Sequence, residues 1–169
     1  MKKRILAFSA AVLLAVLCIW RLWPHSLQGI LDTDGASFGA ITVQVSEFGV
    51  DNGSPNIDVY RLDLPSPEDE NHAAFMSILQ GTKYRQDFRN LLPWDIRTVG
   101  SGSKNITHSA YIMLTWGEAD NICYISFHGD NIISFDSGGN TEYRIYHPTD
   151  RTALNRIAAF IKANGELQA

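Results

Sequence analysis

The chain's first two dozen residues constrain it most. Lys2-Lys3-Arg4 is followed by an unbroken apolar or small stretch from Ile5 to Trp20, then Arg21, Leu22, Trp23 and Pro24. A helix packed against a soluble domain keeps a polar face, and this run has none. A basic start before an apolar run has the form of an export signal. At ~1.5 Å per residue, Ile5–Trp20 reaches about 24 Å, short of the ~30 Å hydrocarbon core; Leu22 and Trp23, with Arg21 snorkelling, bring it close to spanning. No small-x-small cleavage pattern follows the run, and Cys18 follows Leu17 rather than the small residue a lipoprotein signal carries. Trp20 and Trp23 suit an interfacial aromatic belt, and the basic start places the N-terminus in the cytoplasm. The expectation is an uncleaved signal-anchor or transmembrane helix over residues 1–24. It would be a single pass in the cell membrane with the C-terminal domain extracellular. Secretion after signal cleavage is the alternative.

Charge divides at the same place. All 18 acidic residues lie beyond Pro24, with 10 of the 14 basic ones, so that part carries a net charge of −8. Phosphate backbones repel such a domain, which argues against nucleic acid as a partner. Hydrophobic residues at 45% and charged residues at 19% are globular proportions. Cys18 lies in the apolar run and Cys123 in an expected strand, so no disulfide is expected.

Residues 25–40 read as a linker, interrupted by turn chemistry at Asp32-Thr33-Asp34-Gly35, and residues 41–169 read as one extracytoplasmic domain. Ile41–Ser46 alternates apolar and polar residues, as a half-buried strand does. Asp51-Asn52-Gly53-Ser54-Pro55 is turn chemistry, and Ile57, Val59 and Leu62 mark the returning strand of a hairpin. Ser66-Pro67-Glu68-Asp69 reads as a helix start, with Ser66 as cap. Phe75, Ile78 and Leu79 continue that helix at i, i+3, i+4 spacing, and Gly81 ends it. Tyr84 to Leu92 alternates like a strand. Ala110–Trp116, Ile122–Phe127, Ile132–Phe135 and Tyr143–Tyr146 are four strands joined by short polar loops, which forces antiparallel neighbours. Their apolar face collects Cys123, Ile125, Phe127, Ile133, Phe135, Tyr143 and Ile145. Thr149 or Asp150 then caps a helix carrying Leu154, Ile157, Ala158 and Ile161, which Asn164-Gly165 ends. The fold class is α+β: an antiparallel sheet, made of a hairpin and a four-strand meander, with two amphipathic helices on one face.

Chemistry-bearing patterns are sparse. His25, His72, His108, His128 and His147 form no metal-binding spacing, and no cofactor motif occurs. Gly100-Ser101-Gly102-Ser103-Lys104 lacks the length of a phosphate loop. Cys123 falls on an apolar strand face, where a thiol acts as a small hydrophobe. Asn52 and Asn105 match a glycosylation pattern that matters only in a eukaryotic secretory route. One cluster stands out: Lys83, Arg85, Arg89 and Arg97, with Trp94 nearby. In a strand, Arg85, Asp87 and Arg89 would share a face and form a cross-strand ion-pair ladder. The functional reading makes Arg85, Arg89, Arg97 and Trp94 a patch for an acidic ligand, a carboxylate or a cell-wall phosphate.

From Ser66 onward the arrangement resembles uncharacterised small extracytoplasmic proteins of Gram-positive bacteria, lipoproteins or single-span proteins. The resemblance rests on Phe75-Met76-Ser77-Ile78-Leu79, Tyr84-Arg85, Tyr111-Ile112-Met113-Leu114, Ile122-Cys123-Tyr124-Ile125, Tyr143-Arg144-Ile145-Tyr146 and the closing helix. These features are structural, so no functional residue carries over. The expected function is a non-enzymatic binding or interaction module at the cell envelope. The partner would be another envelope protein, a peptide or a wall component. A hydrolase acting on envelope material, or a sensory ectodomain of a membrane complex, are the alternatives.

Overall fold

Alternation in the strands and helical spacing in two later segments build a two-layer domain behind an apolar helix. The computed structural model describes residues 2–31, 33, 37–51, 53–91, 107–116, 121–128, 133–137 and 144–168. Trp94, Arg97, Gly100–Lys104, Asn105, Asn52, Ile132, Tyr143, the Asp32, Asp34 and Gly35 turn positions and most of the loops of the meander lie outside the described residues.

Strands β1 (Phe38–Asp51) and β2 (Ser54–Leu64) form the expected hairpin, paired from Ile41↔Leu64 to Asp51↔Ser54. Gly53 makes the turn at φ 82°, where only glycine bends without steric cost. β4 (His108–Trp116), β5 (Asn121–His128), β6 (Ile133–Ser137) and β7 (Arg144–Pro148) form the antiparallel meander. β1 also pairs with β4, which merges hairpin and meander into one sheet. Two short strands, β3 (Tyr84–Gln86) and β8 (Glu166–Gln168), extend it at opposite edges, in the order β3-β7-β6-β5-β4-β1-β2-β8.

One face of this sheet is the core. Ile41, Val43 and Val45 of β1 register with Leu114, Ile112 and Ala110 of β4, and these with Cys123, Ile125 and Phe127 of β5; all are buried. Helices α3 (Glu70–Gly81) and α4 (Ala153–Asn164) cover it with Phe75, Met76 and Leu79 and with Leu154, Ile157, Ala158 and Ile161. The Phe75 and Phe160 rings meet between the helices at 5.7 Å. A bulge in β1 between Phe38 and Ile41 turns the Gly39 carbonyl toward α3, where His72 Nε2 donates to it at 2.7 Å. A carbonyl only accepts, so the His72 proton sits on Nε2.

Several local expectations are corrected. Ser66 caps only a single turn, through Glu68 N at 3.2 Å; Asp69 is the cap of α3, accepting from Asn71 N at 2.8 Å. Thr152 is the α4 cap position, and Asp150 instead accepts from the Thr152 backbone and hydroxyl at 2.8 and 2.7 Å. The strand expected to reach Leu92 stops at Gln86, and a 3-10 turn occupies Phe88–Leu91. Asn90 closes that turn onto β7, donating to the Ile145 carbonyl at 2.7 Å and accepting from Ile145 N at 3.0 Å. The stretch read as a linker carries structure. His25 and Tyr84 exchange backbone hydrogen bonds of 2.8 and 2.9 Å, and α2 (Leu27–Leu31) buries Leu27 completely. Gly165 ends α4 and starts β8; a side chain there would meet the Arg61 and Ile161 carbonyls at 2.7 Å.

Ahead of this domain, α1 runs over Lys2–Arg21. Its described apolar side chains face outward: Phe8, Leu13, Leu14 and Ile19 are 60% exposed or more. From Phe8 to Trp20 the helix covers about 20 Å at ~1.5 Å per residue. Among the described residues no helix is long and apolar enough to cross a membrane.

Candidate functional site

Of the four residues read as a basic patch, Arg85 is the one whose side chain the structure describes. Arg85 is exposed on β3, opposite His147 of β7. Asp87 leaves the strand and turns inward, where it is buried. Arg89 falls in the 3-10 turn and its side chain is not among those described; Arg97 and Trp94 lie outside the described residues. β3 ends at Gln86, so Asp87 and Arg89 do not continue the strand face of Arg85. Instead, His147 Nε2 donates to Asp87 Oδ2 at 2.6 Å. This pair clamps the start of the 3-10 turn to β7, beside the Asp87 N to Ile145 O bond of 3.0 Å.

The same sheet edge holds a small cleft on its other side. It encloses about 90 Å³ and is lined by Trp20, His25, Ile30, Gln86, Arg144 and Tyr146, with Gly29 at its rim. That is room for a group of a few heavy atoms, well below the ~300–1,000 Å³ of a pocket for a drug-sized ligand. The fold brings these residues together by three routes. Gln86 and Tyr146 are register partners across β3 and β7, and Arg144 lies two residues before Tyr146, on the same face. His25 joins the outside of β3 through its backbone bridge to Tyr84. Trp20 arrives from the last turn of α1. Gln86 and Tyr146 are buried, whereas Arg144 and Trp20 reach solvent.

The residues lining this cleft carry an indole, an imidazole, a carboxamide, a guanidinium and a phenol. Among the described residues that line it there is no carboxylate.

A third cluster joins α4 to the sheet. Glu47 Oε2 accepts from Lys162 Nζ at 2.6 Å, and Glu47 Oε1 lies 3.4 Å from His108 Nε2. Lys162 also sits 5.4 Å above the Tyr60 ring. The Lys162 hydrogen bond, with the nearby positive charge, holds the Glu47 carboxyl below the usual carboxylate range against an opposing effect of burial. This cluster braces α4 to the β1–β4 pair. Among the described residues no three His, Cys, Asp or Glu side chains gather in a way that could hold a metal ion.

Sequence reasoning located Arg85 and Arg89 near this edge but missed His25, Gln86 and Arg144. Those three come from separate parts of the chain, so no local spacing could have joined them. No family model, curated protein or solved structure matches the chain.

Proposed function

We propose that this protein is a membrane-anchored binding module of the cell envelope, with α1 in the membrane and the α+β domain outside the cytoplasm. The observation that carries this reading is the outward-facing apolar surface of α1. Phe8, Leu13, Leu14, Val16, Leu17 and Ile19 are each 52–71% exposed. A contiguous apolar surface of this kind marks a membrane or protein contact. Counted from Ile5 through Trp23, the segment covers about 28 Å, close to the ~30 Å hydrocarbon thickness, and modest bilayer thinning closes the difference. Lys2, Lys3 and Arg4 set the orientation by the positive-inside preference.

The test is alkaline extraction of membranes from cells making the full-length chain, followed by protease treatment of intact cells. Retention in the pellet, with the domain cut from outside, is the expected result. Release by alkali, or protection of the domain until the cells are broken, overturns the reading. A hydrolase acting on envelope material is the second reading. The Asp87–His147 contact favours it, since a buried carboxylate orienting an imidazole is the arrangement of an acid–base pair. It predicts hydrolysis of envelope polymers that His147→Gln abolishes.

A further inference from the structure

We draw no further inference here: the strongest candidate, the exposed apolar patch that Phe48, Val50 and Ile57 form near the turn of the β1–β2 hairpin, carries nothing because nothing among the described residues shows what covers it.

Discussion

Helices α1 and α4 use the same apolar residue types and treat them in opposite ways. In α4, Leu154, Ile157, Ala158 and Ile161 line one side, are no more than 3% exposed, and face the sheet. Asn155, Arg156, Ala159 and Lys162 take the water side. In α1, Leu13, Leu14, Val16 and Leu17 lie on one half of the helix and Phe8 and Ile19 on the other, and all six stay more than half exposed. An amphipathic helix finds its apolar partner within its own domain. A helix that is apolar all round leaves most of its surface for another phase to cover, and that difference underlies the proposed division of the chain into anchor and domain.

Substitutions can break this contrast in either helix. The largest effect on stability is expected in α4. Leu154→Ala or Ile161→Ala removes buried methyl groups and should cost ~2–5 kcal/mol. The denaturant midpoint should fall at an unchanged slope, and a loss below about 0.5 kcal/mol would mean that α4 is not a core helix. Leu14→Arg in α1 should behave inversely. It leaves the domain's unfolding midpoint in place and opposes membrane insertion by ~2.5–3.5 kcal/mol, a loss of roughly two orders of magnitude in partition. Unchanged partition with a lowered midpoint would place α1 in the fold instead.

Smaller changes sharpen the picture of the sheet edges. Asn90→Ala strips the Ile145 N–H of its partner at a buried position, for ~1–3 kcal/mol. Hydrogen exchange of β7 should rise before that of β4 if the Asn90 turn guards that edge. The smallest effect is expected from pH at the α4 brace. Because the Glu47 carboxyl is held below its ordinary value of 4.5, its contribution is complete above that pH and fades as pH falls through the lowered value. The pair is well exposed, so the loss is only ~0.2–1 kcal/mol. Glu47→Gln should flatten the acid limb of stability against pH by that amount; a variant that still follows the parent's curve would show that other carboxylates govern it.

The hairpin and the central strands were legible because turn chemistry and alternation act locally. Asp51 to Pro55 could do little but turn, and Ile41, Val43 and Val45 had to face one side together. Leu27 was not read as core: with Ile30 and Leu31 it has i, i+3, i+4 spacing, but only over five residues that include Gly29 and run into turn chemistry, yet it is fully buried. β8 was hidden for a similar reason, since three residues after a terminating glycine gain strand geometry only from pairing with β2. The strand read from Tyr84 to Leu92 was too long because alternation was carried past Gln86, where β3 ends. Once Asp87 turns inward to His147, the residues beyond it lose the strand's parity. The cleft depends wholly on tertiary register, Gln86 against Tyr146 and His25 against Tyr84, and register between distant segments leaves no trace in spacing.

Cys18 allows the central claim to be measured directly. It is exposed on α1, whereas Cys123 is buried in the sheet, so the two thiols report on the two regions. With the full-length chain in lipid vesicles, a charged, membrane-impermeant maleimide should label neither cysteine; removal of the lipid should open Cys18, and unfolding Cys123. Rapid labelling of Cys18 in intact vesicles, with Cys123 still protected, would put α1 in water and contradict the account.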